Sequence, residues 1–203
     1  MNFKIIANPE LKAESSWAYE LGCRQYFTEN WNIDIAFFDN EYWDMIEAHL
    51  DLIRGQIQFR NIDRTRIQGV EAATNVSLPF RLFRMSIIPS VQASITAMDH
   101  EDLKYHEPLV YRPKTLTTVK TKVQIENVHF QVDFRFASEI EEVKIYPIND
   151  RVPMKFIDMR TSFEIGNFTL QAGINNLLNY NYSPMESNLM PMRTYTIGLK
   201  GEL

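Results

Sequence analysis

The densest group of side chains able to do chemistry lies between residues 99 and 107. Its members are carboxylates and imidazoles: Asp99, His100, Glu101, Asp102, His106 and Glu107. Such groups are ligands for divalent metals, but a site requires them to converge on one point. Nothing in the sequence shows that convergence, so we predict a hydrated acidic loop and no metal or other cofactor.

Two other residues attract attention for the same reason. His129 lies between two apolar residues and shares the polar side of its segment with Asp133 and Arg135. We therefore expect it to face water rather than a ligand. Cys23 shares the apolar side of its segment with Leu21 and is predicted to be an inert thiol. The chain contains no nucleophile elbow, HExxH, P-loop or GxGxxG motif, so we predict that it is not an enzyme.

Composition narrows the possible classes further. The chain has 203 residues, which suits one domain, and its net charge of -5 disfavours nucleic-acid binding. A single cysteine excludes an internal disulfide. There is no apolar run of 18 residues that would span a membrane as a helix, and no apolar core of a signal peptide at the start. None of these observations excludes a transmembrane β-barrel, because the strands of such a barrel alternate apolar and polar residues.

The hydrophobic pattern repeats every two residues along most of the chain. In residues 128–136, Val128, Phe130 and Phe134 alternate with Gln131 and Asp133, and only a strand sends successive side chains to opposite faces. Nine segments show this pattern: residues 17–23, 31–37, 57–76, 91–97, 116–125, 128–136, 156–163, 167–175 and 194–203. A helical spacing occurs only in residues 42–53, for which we predict a short loop helix.

The connections between these strands alternate in length. Residues 28–30, 126–127 and 165–167 read as tight turns, whereas residues 38–56, 99–114, 138–155 and 179–193 are long. Residues 77–90 do not fit, because they occupy a short position and are too long. Short turns at one rim and long loops at the other are typical of outer-membrane barrels. We therefore predict an all-β fold: an antiparallel up-and-down meander of about nine strands, forming an open portion of a transmembrane β-barrel.

Several motifs in order strengthen this prediction. They are NPELKAE at 8–14 with YELG at 19–22, FRNI at 59–62 with RIQGVE at 66–71, LVYRPK at 109–114, GNFTL at 166–170 with GINNLLN at 173–179, and MPMRTY at 190–195. From about residue 8 to 203 the chain resembles the C-terminal barrel of TonB-dependent outer-membrane receptors. Leu178 stands where that family usually has Phe, and Met192 where Gly is common.

The resemblance implies a location, a function and partners. It implies a barrel in the outer membrane that takes up a scarce nutrient of the ferric siderophore, haem or cobalamin class. Residues 1–203 would then be the C-terminal segment of that barrel, without the plug domain through which a TonB-type complex acts. It also implies that the barrel-assembly machinery recognises the last strand, with Tyr195, Ile197, Leu199 and Leu203 as the assembly signal, although Leu203 replaces the usual final Phe.

The sequence also leaves alternatives. A soluble or periplasmic β-barrel that binds a small apolar ligand would show similar alternation, but its apolar face would be packed inside. Within the outer-membrane interpretation, single-chain barrels keep both ends on the short-turn side, whereas the strand at 17–23 begins on the long-loop side. We therefore expect that strands are missing before residue 1 and that the chain is inactive alone, as a piece of a split receptor or as a remnant of a disrupted gene.

Overall fold

The computed structural model describes residues 4–51, 53–140, 153–182 and 190–201, and all of its regular structure there is β-strand. Nine of these strands form one meandering sheet, which does not close on itself. Each of the nine pairs antiparallel with its neighbour along the chain. The predicted all-β meander of nine strands is therefore confirmed. No helix in these residues could span a membrane.

The described residues form twelve strands, three of them short. Those in the meander are β2 (Ser15–Thr28), β3 (Trp31–Asp51), β4 (Gln56–Ser77), β6 (Met85–Asp102), β8 (Thr115–Ile125), β9 (Val128–Ala137), β10 (Met154–Ile165), β11 (Phe168–Asn175) and β12 (Thr194–Gly201). The short ones are β1 (Lys4–Ile6), which pairs parallel with β4, and β5 (Phe80–Leu82) and β7 (Glu107–Pro108), which pair with β6.

The two faces of the sheet differ in which side chains they expose, and this difference indicates what surrounds each face. We call the side that carries Val128, Phe130 and Phe134 the apolar face, and the other side the polar face. None of these three apolar side chains is buried, whereas Asp133 on the polar face is. Leu21, opposite Phe37 on the apolar face, is 76% exposed. In the described part of the chain, the apolar face therefore does not enclose a packed interior, which argues against the soluble-barrel alternative and favours contact of this face with lipid.

Aromatic side chains border the apolar face at two levels. Near the short-turn end, Phe27 stacks on Trp31 with ring centroids 4.3 Å apart. Nearer the long-loop end, the ring centroids of Trp17 and Tyr19 lie 6.3 Å apart. Tyr19 pairs with Asp39, which lies eight residues beyond Trp31 along β3. At the rise of a strand this separation is about 27 Å. With the usual tilt of about 40° this becomes roughly 20 Å, close to the apolar band of an outer-membrane barrel.

The predicted loop at 38–56 and its helix at 42–53 are wrong. β3 and β4 stay paired from Trp31↔Val76 to Asp51↔Gln56, so that the pair forms a tall hairpin beyond the aromatic border. A cross-strand ion pair joins Asp39 to Arg66 on this extension. The alternation breaks at Asp44, whose φ of +52° lets Met45 turn to the face of Thr65. The interrupted alternation at this point is the reason why the sequence pattern was interpreted as helical spacing.

Residues 77–90, which the sequence analysis left unplaced, form the tip of another hairpin. The register of β4 with β6 continues through β5, from Ser77↔Ser90 to Leu82↔Met85. Phe83 and Arg84 make the two-residue turn, with φ values of +49° and +68°. Both values lie in the left-handed region that two-residue hairpin turns require. The connection is therefore a tight turn like the others at that end, only displaced further from the sheet.

Three of the predicted long connections lie at the opposite end. Of residues 99–114, the first four continue β6, and the rest fold back to reach β8. Of the connections at 138–155 and 179–193, residues 141–152 and 183–189 lie outside the described residues. β1 pairs with Gln56–Gln58 at the far tip of the β3–β4 hairpin, so the expectation that the first residues lie on the long-loop side is confirmed for Lys4–Ile6.

Candidate functional site

Two buried carboxylates form the centre of the polar face on β9 and β10. Asp133 and Asp158 are direct cross-strand partners in the register, and they are only 6% and 4% exposed. Neighbouring carboxylates repel each other unless cations compensate them. Their pairing therefore requires positive groups within reach on the same face.

Each carboxylate is compensated by an arginine from the other strand. Nη2 of Arg135, on β9, lies 2.5 Å from Oδ2 of Asp158, and Nη1 of Arg160, on β10, lies 3.2 Å from Oδ2 of Asp133. Gln131 also donates to Asp133, at 2.7 and 2.8 Å. Because each arginine follows its own aspartate by two residues, the antiparallel register brings the two ion pairs together diagonally. Four charges thus neutralise one another on one face.

The segment after β11 covers one of these carboxylates, Asp158. The buried backbone N–H of Asn176 donates to Oδ1 of Asp158 at 2.8 Å, and its side-chain amide donates to the carbonyls of Tyr180 and Pro191, each at 3.1 Å. Asn176 and Asn179 have φ values of +52° and +50°, which asparagine tolerates better than most residues. This conformation explains the asparagines in the GINNLLN segment.

Other charges extend along the polar face. His129 lies on the same face as Asp133 and Arg135, as expected, but its partner is Glu164, 3.2 Å away. On β2 and β3, Arg24 is bonded to Asp34. Lys120 and Lys122 on β8 are exposed and lack an ion-pair partner among the described residues. The face is therefore wet and charged along its length, as the lumen of an outer-membrane barrel is.

A second buried polar centre lies beyond the lipid-facing band, where residues 103–114 fold against β4 and β6. His100 is 2% exposed; its Nδ1 accepts the N–H of Leu109 at 3.2 Å, and its Nε2 lies 3.1 Å from the carbonyl oxygen of Arg112. Burial lowers the pKa of His100, and the hydrogen bond to Arg112 offsets this only in part. The imidazole is thus held neutral, with its proton on Nε2, and clasps the LVYRPK segment to the sheet.

The acidic loop does not assemble a metal site. Asp99 pairs with Lys114 at 3.5 Å, Glu101 lies 3.4 Å from His106, and Asp102 accepts the N–H of Lys104 at 2.8 Å. Within the described residues, no three His, Cys, Asp or Glu side chains are grouped to hold a metal ion. These groups therefore shape the loop and pair with neighbouring cations.

The remaining residues singled out in the sequence have simpler settings. Cys23 is free and exposed beside Leu21 on the apolar face. Of the assembly-signal residues, Tyr195, Ile197 and Leu199 are exposed on β12, and Leu203 lies outside the described residues. Their role stays a prediction.

The sequence analysis missed Asp158, Arg160 and Asn176. A signal for the first two was present, because they share the parity of Ser162 within a period-two segment and so belong to its polar face. The role of Asn176 depends on where the covering segment folds, which period alone does not encode.

Residues 1–177 match the family model described as TonB dependent receptor-like, beta-barrel. The chain belongs to this family. Its members are receptors of the outer membrane and not enzymes, so the predicted location and the absence of catalysis are confirmed. The short-turn end of the sheet is accordingly the periplasmic end, and the long-loop end is extracellular. No curated protein sequence matches the chain.

Solved structures of other receptors share this fold. A mutant ferric enterobactin receptor of Pseudomonas aeruginosa, in complex with enterobactin, superposes with a TM-score of 0.69 and 18% identity over 96% of the chain and 32% of the receptor. The copper transporter OprC gives 0.71 and 15% over 94% and 31%. The siderophore receptor PirA of Acinetobacter baumannii gives 0.67 and 17% over 97% and 33%. The chain thus spans about a third of the length of these proteins.

Proposed function

We propose that the chain is the C-terminal part of the barrel wall of an outer-membrane transporter that takes up a scarce nutrient of the ferric siderophore, haem or cobalamin class. The observation that carries the proposal is the polar face, on which paired carboxylates and arginines line a hydrated surface opposite a lipid-facing one. Receptors for ferric enterobactin and other siderophores have the same fold. Their substrates support the class proposed here.

We further propose that the chain transports only together with other strands and a plug. In the described residues, the outer edges of β2 and β12 have no partner strand. Hydrocarbon does not tolerate unpaired backbone groups, so a barrel wall of this kind needs further strands to close it. Coupling to a TonB-type complex would then pass through a plug inside the completed barrel.

Uptake measurements in two genetic backgrounds test both parts. Deleting the segment that encodes the chain from its own host should abolish TonB-dependent uptake of a labelled ferric siderophore, haem or cobalamin. The chain produced alone in a receptor-deficient strain should restore none of them. Unchanged uptake of all three after deletion contradicts the transport proposal, whereas uptake by the chain alone contradicts only its incompleteness.

The last strand is proposed to carry the assembly signal. Tyr195, Ile197 and Leu199 form an exposed alternating row on β12, and Leu203 continues the parity of that row in the sequence. Removing residues 201–203 from the complete receptor should reduce its insertion by the barrel-assembly machinery. Heat-modifiable folded receptor can be quantified in outer-membrane fractions. Unchanged amounts would show that these residues are not part of the signal.

A further inference from the structure

The hairpin between β4 and β6 reaches further into the periplasm than the turns beside it. On one side, the N–H of Ser77 bonds the carbonyl of Asn30 at 2.9 Å, at the level where the β2–β3 turn closes. The hairpin arm then continues five residues before its own turn. On the other side, Ser86 donates to Glu126 at 2.5 Å in the β8–β9 turn. The tip at Phe83 and Arg84 therefore projects beyond both neighbours.

The lipid-facing stripe continues into this projecting tip. By register, Leu78, Phe80, Leu82 and Met85 share the apolar face with Val91, and all of them are exposed. Phe83 at the turn is 86% exposed. Apolar side chains of this size are unfavourable in water, so an extension of the apolar face past the short-turn rim calls for an apolar cover.

Two arginines lie in the same tip: Arg84 is in the turn, whereas Arg81 alternates with Phe80 and Leu82 and so lies on the polar face. Arg81 and Arg84 are exposed, and neither has a hydrogen-bond or ion-pair partner among the described residues. The neighbouring periplasmic turns carry Glu29 and Glu126 instead. Positive charge combined with apolar side chains is typical of segments that lie in the headgroup region, where long cationic side chains reach phosphate groups.

We propose that residues 78–85 form a lipid anchor in the inner leaflet of the outer membrane. The apolar residues lie among the upper parts of the acyl chains, and Arg84, in the turn, binds the phosphate group of an anionic phospholipid. The occupant follows from continuity with the lipid-facing stripe and from the charge of the tip. The inference depends on the outer-membrane location and not on transport, so a failed uptake experiment does not affect it.

Photocrosslinking in intact cells tests the anchor. A photoreactive amino acid replaces Phe83 in the chain, and adducts in the outer-membrane fraction are identified by mass spectrometry. We expect phospholipid adducts in which phosphatidylglycerol exceeds its share of the membrane. Arg84→Gln should lower that enrichment, by about fivefold for one cation near an anionic surface, whereas Arg81→Gln, on the polar face, should leave it unchanged.

Two further positions serve as controls. The same probe at Phe37, inside the lipid-facing band, should give phospholipid adducts without enrichment of phosphatidylglycerol, and the probe at Glu29 should give few lipid adducts. Adducts from position 83 that are proteins, that are absent, or that match the bulk lipid composition would overturn the proposal. Enrichment that persists in Arg84→Gln would overturn the role of this arginine.

Discussion

Replacing Asp158 with alanine tests whether one buried carboxylate holds the segment after β11. Asp158 accepts the buried backbone N–H of Asn176 at 2.8 Å and pairs with Arg135 at 2.5 Å. Loss of the acceptor leaves a buried N–H unsatisfied, at a cost of about 1–3 kcal/mol. The Arg135 side chain is 55% exposed, so losing its ion pair costs only about 0.5–1 kcal/mol. The total is about 1.5–4 kcal/mol against local opening.

Hydrogen exchange measures this opening directly. At about 1.4 kcal/mol for each factor of ten, backbone amides in residues 174–182 should exchange roughly 10- to 700-fold faster in Asp158→Ala than in the parent. The assay is mass spectrometry of peptides from the chain in outer-membrane vesicles. Peptides from β2 and β3 should be unchanged, because they lie at the other edge of the sheet.

Two matched variants separate the contributions. Asp133→Ala removes an equally buried carboxylate whose partners, Gln131 and Arg160, are side chains that can turn to water, so exchange in residues 174–182 should change less than tenfold. Asp158→Asn keeps an acceptor for Asn176 and loses only the charge, so it should also stay within about tenfold. Equal acceleration in Asp158→Ala and Asp133→Ala would refute the reasoning.

Three further predictions follow from the extracellular half of the sheet and from its last strand. Gly69→Ala should destabilise the chain by about 1–3 kcal/mol in urea titrations, because a Cβ there would lie 2.7 Å from the ring of Phe38; Gly198→Ala, with open space around it, should have no effect. Burial lowers the pKa of His100, which is held neutral, so its hydrogen bonds should hold residues 103–114 to the sheet above about pH 6.5 and weaken as the pH falls further. Proteolysis of that loop should then become faster at low pH, and a cleavage rate independent of pH would contradict the prediction. Asn61→Ala should speed exchange in residues 8–14 about tenfold or more, because Asn61 makes two hydrogen bonds to the backbone of Lys12; unchanged exchange would show that these bonds do not hold the segment.

Gly69 also shows what the RIQGVE segment does. Phe38 lies directly across from Gly69 in the register, and its ring covers the glycine, while the backbone of β6 approaches from the other side. Any side chain at this position would collide with the carbonyl of Ala97. The glycine therefore permits close packing of three strands where the polar face leaves the membrane.

The period-two pattern was sufficient for the strands and their faces but not for their ends. Residues 128–136 alternate cleanly, and β9 spans nearly the same residues. β3 runs 14 residues further than predicted. The pattern gave too early an end because charged residues replace apolar ones outside the lipid and because Asp44 interrupts the alternation. Alternation between an apolar and a polar face reports a membrane border, so it ends at that border even where the strand continues.

The polar site was predictable only in part for a similar reason. Parity places Asp133, Arg135 and His129 on one face, but it does not give the register that sets Asp158 opposite Asp133. The covers over the buried polar groups come from segments without periodicity. His100 looked like part of an acidic loop, and its burial depends on how residues 109–112 fold back onto β6.

The central claim is that the apolar face of this sheet meets lipid while the polar face meets water. Its most direct test is a nitroxide scan of residues 128–136 in a Cys23→Ala background, with the chain in outer-membrane vesicles. We predict that collisions with oxygen, which concentrates in lipid, peak at the even-numbered positions Val128 to Phe136, while collisions with a water-soluble nickel chelate peak at His129, Gln131 and Arg135. A profile without period two, or one with the two maxima exchanged, would contradict the account.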